Sequence, residues 1–215
     1  MKKIEKLGEP RQLTEYRSKP GAIYDGPNFT SVKNDIKKQL LKEQGHLCAY
    51  CMARVKISEM KVEHFLCQTE NDKEQLNYKN LLGCCKGGEG NKPRNQTCDT
   101  RKGSKSILFS PANQAYNIES KIKYSTTSGK ISSSDTIFNR QINDVLNLNF
   151  SRLITNRIKA LEGVENFLNK KAGRRNKAEI QKVIETYKSK NANDKFKEYN
   201  AYILHYLNIK LARLK

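Results

Sequence analysis

Six cysteines are the residues of this sequence best suited to metal chemistry, and five of them lie at spacings that can share one ion. Cys48 and Cys51 form a Cys-x-x-Cys pair, whose short turn can bring two thiolates to one side of a tetrahedral zinc ion. Cys84 or Cys85, together with Cys98, can close such a site. We therefore predict a structural zinc with four cysteine ligands, which would supply folding free energy to a segment that buries little apolar surface.

A second set of reactive side chains, Glu63, His64 and Asp99, is interleaved with the cysteines. A histidine can accept a proton from water near neutral pH, and carboxylates are the hard oxygen ligands that Mg²⁺ prefers. Asp99 directly follows Cys98, so a zinc ion bound there would bring this carboxylate nearby. Two carboxylates and a histidine beside a structural zinc fit metal-assisted phosphodiester hydrolysis. An isolated Glu-His pair, in contrast, is more often a chance feature of the surface.

The formal net charge of +19, from 41 Lys and Arg residues against 22 Asp and Glu residues, indicates a polyanionic partner. The surplus is spread over both halves of the chain and is therefore not a detachable basic tail. Phosphate contacts and the release of counterions would favour a nucleic acid, although charge distinguishes neither DNA from RNA nor one base from another. A lysine-rich, solvated surface is the alternative explanation.

The chain carries no pattern typical of a secreted or membrane protein. Residues 1–8 lack the apolar run of a signal peptide, and no later segment approaches the ~20 apolar residues of a membrane span. We therefore expect a cytoplasmic protein without a membrane partner, where thiols stay reduced and clustered cysteines are more often metal ligands than disulfides. Cys67, which lies outside any pair, is expected to be a small packing residue.

The elements that must position these groups follow from the apolar spacing. Residues 1–30 are punctuated by proline and glycine and predict an irregular arm. From Ser31 onward, apolar residues at helical spacing predict a short amphipathic helix that ends at a glycine and leads into the first cysteine pair. The apolar stretches 55–57 and 62–65 predict a small hairpin, and the polar segment 86–97 predicts a surface loop held by cysteines at both ends.

The second half of the chain predicts mainly helix, and the fold class is α+β. Residues 111–138 favour a second hairpin with its turn at 125–130, and from Asn139 onward the apolar spacing predicts three or four helices. We place the boundary between two domains, 1–110 and 111–215, near residue 110. Three tyrosines at helical spacing are expected in a core or an interface rather than in base stacking: Tyr199, Tyr202 and Tyr206.

The order of these motifs resembles the HNH (ββα-metal) nucleases. The resemblance covers residues 32–105 and rests on the following residues: Cys48-x-x-Cys51, Val62-Glu63-His64-Phe65, Asn80-Leu81-Leu82, Cys85 and Cys98-Asp99-x-x-Lys102-Gly103. The sequence is most similar to one subgroup, the HNH subunit of bacterial Septu and retron-associated anti-phage systems. The resemblance implies a zinc-stabilised ββα-metal core, preceded by an arm and a helix and followed by a mainly α-helical region.

The resemblance also implies a role for each site residue. His64 matches the general base that activates the attacking water, and Glu63 matches a ligand of the catalytic Mg²⁺ or Mn²⁺. Asn80 matches the asparagine that steadies the loop and the base. Asp99 stands where the family usually has His or Asn and is expected to be the second metal ligand. The family spacing after the asparagine selects Cys85 rather than Cys84 as the third zinc ligand.

Basic residues after the last cysteine are expected to contact nucleic acid. Lys102 matches a position that faces substrate phosphates, and we predict the same contact for Arg101 and Lys105. The alternative for Lys102 is an ordinary surface lysine. Two departures from the family are Cys67, where a proline is common, and the insertion 86–97, which is usual in the subgroup.

The resemblance implies an endonuclease that acts as the effector of an anti-phage complex. Its substrate would be DNA or a structured RNA such as tRNA, and its partners would be an ATPase subunit and a retron reverse transcriptase with its nucleic-acid product. We expect the helical region to dock the ATPase. The alternative function is a non-catalytic zinc-binding module that binds nucleic acid or protein, and it would not require Glu63, His64 and Asp99 to converge.

Overall fold

The computed structural model of the chain describes residues 1–170, 173 and 175–214 and has an α+β fold, as the sequence predicts. Its helices are α1 (Arg11–Arg17), α2 (Phe29–Gln44), α3 (Cys98–Lys102), α4 (Thr136–Arg140), α5 (Ser151–Asn169), α6 (Lys177–Lys188) and α7 (Asn200–Ala212). Its strands are β1 (Met60–His64), β2 (Leu81–Cys85), β3 (Lys123–Tyr124) and β4 (Ile131–Ser132). A π-helical turn, Gln141–Val145, continues α4.

The predicted amphipathic helix is confirmed as α2. Val32, Ile36 and Leu40 recur every four residues and are buried, so one face of the helix packs against the core. Gly45 ends the helix with φ +56°, a left-handed conformation that glycine adopts without a steric penalty. A Cβ at this position would also collide with the ring of Phe196, so both the backbone conformation and the lack of space require glycine.

The hairpin predicted from residues 55–57 and 62–65 does not form. β1 pairs with β2 in antiparallel fashion, with Glu63 opposite Leu82 and His64 opposite Leu81. Residues Ile57–Glu59 instead make a 3₁₀ turn that leads into β1. The physical reason is burial: four of the five β2 residues are buried, whereas Ile57 is 39% exposed and offers little to a core.

Gln44, the last residue of α2, fastens the helix to the centre of β2. Its amide nitrogen donates to the carbonyl of Gly83 at 2.7 Å, and its amide oxygen accepts from the Gly83 N–H at 2.7 Å. The same amide nitrogen donates to Leu47, and Ala49 donates its N–H to Gly83 at 3.0 Å. The helix end, the first cysteine pair and β2 are therefore held as one unit.

The N-terminal arm is more ordered than the sequence predicts. It contains α1, which buries Leu13 and Tyr16, and the N–H of Ile4 donates to the carbonyl of Pro111 at 2.9 Å. The second hairpin is confirmed, because β3 pairs with β4 and places Tyr124 opposite Ile131.

The core consists of two hydrophobic clusters that together span the chain. The larger one extends from the N-terminal arm to Leu153 and includes both hairpins. The smaller one joins α5, α6 and α7 to Leu47 and Met52, which flank the first cysteine pair. The apolar packing therefore crosses residue 110, where we expected a domain boundary. Tyr199 and Tyr202 are buried, at 5% and 0% exposure, in agreement with a packing role.

No helix among the described residues has both the length and the apolar composition needed to cross a bilayer.

Candidate metal centre and carboxylate site

Four cysteine thiols come together where α2, β2 and α3 meet. The sulfur atoms of Cys48, Cys51, Cys85 and Cys98 all lie within 4.8 Å of one another, and this group can hold a metal ion such as zinc. Cys85 belongs to the group and its neighbour Cys84 does not, as predicted from the resemblance to the HNH nucleases. Zinc–sulfur bonds of ~2.3 Å at a tetrahedral ion place two sulfurs ~3.8 Å apart.

The distance between two of these thiols has that value. The sulfur atoms of Cys51 and Cys85 are 3.8 Å apart, without a disulfide. Cys48 is buried, which alone would raise its pKa, but hydrogen bonds from the other thiols, Cys51 first, hold the pKa of Cys48 well below its ordinary value. The other thiols of the group, with Cys48 as the first cause, raise the pKa of Cys51 and Cys98 well above the ordinary value, so one thiolate, at Cys48, is favoured. A bound cation would stabilise the further thiolates that four-cysteine ligation requires.

The insertion before Cys98 is folded back so that it delivers this cysteine to the others. Thr97 donates its N–H to the carbonyl of Gly87 at 2.7 Å, which closes the loop at its base. Gly87 has φ +56°, and a Cβ there would overlap the Thr97 carbonyl oxygen. The N–H of Cys98 then donates to the carbonyl of Leu146 at 2.9 Å. Twelve inserted residues therefore leave Cys85 and Cys98 adjacent in space.

Glu63 and Asp99 form a pair of carboxyl groups beside the thiol cluster. Glu63 is 3% exposed, and its Oε1 accepts hydrogen bonds from the Tyr50 hydroxyl at 2.9 Å and the Lys102 ammonium at 2.8 Å. Burial, and after it the hydrogen bond and the charge of Asp99, raise the pKa of Glu63 well above its usual range, although Lys102 opposes the shift. Carboxyls this close must share a proton or a cation, because like charges disfavour joint ionisation.

Asp99 is the more accessible partner of this pair. Its Oδ2 lies 3.3 Å from the Lys61 ammonium, which also contacts Glu89 of the insertion at 3.1 Å. Lys61 and Glu63 are two residues apart on β1, so both side chains leave the same face of the strand. This alternation could have indicated Lys61 from the sequence, where it was overlooked.

His64 is oriented by the loop between β1 and β2. Its Nε2 lies 2.9 Å from the carbonyl oxygen of Gln75. Because a carbonyl only accepts, Nε2 must carry the proton, and the neutral ring keeps its lone pair on Nδ1. The ring of Tyr24 packs edge-on against the imidazole at 4.4 Å between centroids. Burial lowers the pKa of His64, so the neutral ring predominates near pH 7, although the Gln75 carbonyl and Asp99 oppose the shift.

Asn80 holds the loop that orients His64. Its side-chain oxygen accepts from the N–H of Leu66 at 2.7 Å, and its amide nitrogen donates to the carbonyls of Leu66 and Glu74 at 3.0 and 3.2 Å. Glu74 directly precedes the residue whose carbonyl binds His64. The side chain is buried and thus positions the histidine without touching it.

The three basic residues expected at phosphates lie in different surroundings. Lys102 has a fully buried ammonium, which contacts Glu63 and donates to the carbonyl of His64 at 3.1 Å, so it is not the surface lysine that we considered. Arg101 donates to the carbonyls of Pro93 and Asp144 at 3.0 and 3.3 Å. Lys105 is exposed.

Among the described residues, the four cysteines are the one group in which three or more possible ligand atoms lie within 4.8 Å of one another. Glu63 and Asp99 are joined by a hydrogen bond, but His64 does not lie with both of them in a group as close as that of the cysteines. Sequence analysis did not identify three residues that orient the site: Tyr50, Tyr24 and Gln75. The position of Tyr50 inside the Cys-x-x-Cys turn could have indicated that it lies near the metal ligands.

Comparison of the sequence with models of protein families and with curated proteins gives no match.

Proposed function

We propose that this chain is a metal-dependent endonuclease of the HNH type, which hydrolyses phosphodiester bonds in nucleic acid. The observation that carries the proposal is the environment of His64, a buried imidazole whose Nε2 is held by the Gln75 carbonyl and whose pKa responds to the charge of Asp99. The antiparallel order of β1 and β2 followed by the short helix α3 supports it, because Glu63, His64 and Asp99 come from these elements.

The residues fit a hard divalent ion in the role of the catalytic metal. Glu63 and Asp99 would hold Mg²⁺ or Mn²⁺, since a cation between two adjacent carboxyl groups would offset the repulsion that raises the pKa of Glu63. Such an ion, when bound, stabilises negative charge on the scissile phosphate and the leaving oxygen. The zinc predicted at the four cysteines would have the separate, structural task of joining α3 to β2.

The chain's own groups account for the activation of water. Nδ1 of His64 would take a proton from the attacking water, and the Gln75 carbonyl would stabilise the imidazolium that forms through Nε2. Tyr50 and Lys102 fix the carboxyl of Glu63, so the ligand set is organised before substrate binds. The expected products carry 5′-phosphate and 3′-hydroxyl ends, as those of the resembled family do.

Substitution of His64 tests this assignment. The zinc-loaded full chain, with its ATPase partner, is incubated with supercoiled DNA and total cellular RNA in Mg²⁺ or Mn²⁺. We expect His64→Ala to lower the rate of cleavage by about 100-fold or more, because a positioned base contributes about 10²–10⁴-fold. His205→Ala is the matched control. His205 lies on α7 and packs beside Tyr124 of β3, so its substitution should leave the rate unchanged.

The pH dependence of the cleavage rate is a second test of the role of His64. Because the base must be neutral and burial lowers the pKa of His64, the rate should rise with pH below about 6.5 and then level off. Cleavage by His64→Ala at the rate of the unaltered chain, with zinc retained, would overturn the assignment.

A second candidate function is a non-catalytic zinc module that binds nucleic acid or a protein. Two observations favour it: the Lys102 ammonium already neutralises Glu63, and His64 lies outside a compact set with the two carboxyls. This alternative predicts binding without cleavage of either substrate in any divalent metal.

We further propose that the nuclease is the effector of an anti-phage complex with an ATPase subunit and, in retron-associated systems, with a reverse transcriptase and its nucleic-acid product. Support for this part comes from the subgroup resemblance of residues 32–105. Purification of the tagged chain from cells that express the neighbouring genes tests it, and recovery of the chain alone would contradict it.

A further inference from the structure

A groove lies between the C-terminal half of α2, the segment before β1 and the loop that precedes α7. Its volume is about 580 Å³. Five lysine and arginine side chains line it, against the single carboxyl of Asp194: Lys38, Lys42, Arg54, Lys56 and Lys195. Three apolar side chains also line it, those of Leu41, Val55 and Ile57. The groove is separate from the residues of the proposed catalytic site, since it shares none of them.

The charge of this groove is not cancelled by the contacts of its cations. The Arg54 guanidinium donates to the carbonyls of Gly45, His46 and Phe196, which are neutral acceptors. Lys38 pairs with Asp35, but the lysine side chain is 68% exposed, so the pair is weak and open to exchange. Lys42, Lys56 and Lys195 are exposed and come from three different segments. The fold has thus gathered positive charge at one concave place.

The groove lies on a different face of α2 from Tyr24 and His64. At the N-terminal end of the helix, the Lys33 ammonium lies 5.2 Å from the centre of the Tyr24 ring, which in turn packs against His64. Lys33 and Lys42 are nine residues apart, about two and a half helical turns, so the groove lysine Lys42 leaves the opposite side of the helix.

We propose that this groove binds the phosphates of a nucleic-acid strand, outside the proposed catalytic site. The inference goes beyond the proposed nuclease function, because binding in the groove requires no cleavage. Nucleic acid fits the groove because its phosphates supply negative charge to the gathered cations, while the apolar side chains of the lining can contact sugars or base faces.

The test compares two triple variants that change the net charge equally. Lys42→Gln, Lys56→Gln and Lys195→Gln remove three groove cations, whereas Lys159→Gln, Lys177→Gln and Lys182→Gln remove three exposed lysines of α5 and α6 that do not line the groove. Both are made in the zinc-loaded His64→Ala chain and measured without added Mg²⁺ or Mn²⁺, so that binding is measured apart from cleavage. The probes are a fluorescent 30-base-pair DNA duplex and a 30-nucleotide RNA strand.

We expect the groove variant to bind at least one probe about tenfold or more weakly near 0.1 M salt. Its plot of log affinity against log salt should be shallower by about 2–3, because each phosphate contact contributes a slope of about 0.9. The control triple should change the affinity less than about threefold. Equal losses in both variants, or no loss in the groove variant, would overturn the proposal.

Two further outcomes separate this proposal from the nuclease itself. Cleavage is measured in chains that keep His64. Binding that depends on the groove, when the chain with His64 cuts neither probe in Mg²⁺ or Mn²⁺, would contradict the nuclease and support the groove. Unimpaired binding by the groove variant, together with unimpaired cleavage by the same triple variant in the chain with His64, would contradict the groove alone. Competition by poly-glutamate at the same charge concentration, as effective as competition by either probe, would show an acidic polypeptide site and overturn the proposal.

Discussion

At the scale of single residues, the ion pair of Lys102 with Glu63 is the most consequential contact of the candidate site. Both side chains are buried, at 0% and 4% exposure, and their atoms lie 2.8 Å apart. A charge without a partner at this depth is costly, so each side chain stabilises the other in the buried site. The Lys102 ammonium therefore competes with any metal ion for the charge of Glu63. It also fixes the position of the Glu63 carboxyl, which would favour binding of a metal ion there.

The substitution Lys102→Met tests this dependence, since it removes the charge and keeps the length. We expect the free energy of unfolding to fall by about 3–5 kcal/mol, because Glu63 would remain buried beside Asp99 without a counter-charge. Adding Glu63→Gln should restore most of the loss. Urea denaturation of the zinc-loaded chain measures both effects.

Lys38→Met is the control, because its ion pair with Asp35 is exposed and should contribute less than about 1 kcal/mol. If Lys102→Met is as stable as the unaltered chain, or if Glu63→Gln does not compensate, the pair is not the electrostatic centre of the site.

At the scale of elements, the insertion 86–97 determines whether the fourth cysteine reaches the other three. The loop is closed by the hydrogen bond from the Thr97 N–H to the Gly87 carbonyl. Gly87 has a left-handed φ, and the carbonyl oxygen of Thr97 leaves no room for a side chain on it. Strain at this point would be passed directly to Cys98, the next residue after Thr97. Metal affinity therefore depends on a turn that contributes no ligand.

Gly87→Ala should weaken zinc binding, because the new methyl group would separate Gly87 from Thr97. We expect the zinc dissociation constant, measured by competition with a chromophoric chelator, to rise about tenfold or more, equivalent to about 1.4 kcal/mol. Gly90→Ala is the matched control: Gly90 also has a positive φ, of +84°, but a Cβ there meets nothing within 4 Å. Equal effects of both substitutions would assign the loss to backbone strain alone.

The elements also show how far the sequence could predict this fold. Helix α2 and the hairpin of β3 and β4 follow from local apolar spacing and turn residues, and both were predicted. The partner of β1 was missed, because β2 lies 17 residues farther along and its uninterrupted apolar run carries no alternation. Proximity of Glu63 to Asp99 likewise depends on how α3 docks on β2, which no local pattern encodes.

At the scale of the whole molecule, the C-terminal helices are part of the fold that holds the candidate site. Leu47 and Met52, which flank the first cysteine pair, are buried in the cluster formed by α5, α6 and α7. The buried guanidinium of Arg157 on α5 donates to Gly129 at 2.6 Å and to Leu148 at 2.9 Å, which joins that helix to the second hairpin. Deleting the helical region thus tests stability before it tests docking of a partner.

Two truncations separate the contributions of this region. A chain that ends at residue 139 loses the helical cluster and Leu146, the acceptor for the N–H of Cys98, whereas one that ends at residue 149 keeps Leu146. We expect the shorter chain to bind zinc weakly and to unfold without cooperativity, since it leaves Leu47 and Met52 uncovered. The longer one should recover part of the zinc affinity but melt below the full-length chain.

Circular dichroism melts and chelator competition on the three chains decide between these contributions. Equal zinc affinity in both truncations would show that the hydrogen bond from Cys98 to Leu146 does not position this ligand. A melting temperature of the 139-residue chain equal to that of the full-length chain would show that residues 1–110 fold without the helical cluster, as the expected boundary near residue 110 implies. A fall in both quantities for the shorter chain would mean that ATPase docking must be tested with single substitutions on exposed helix faces.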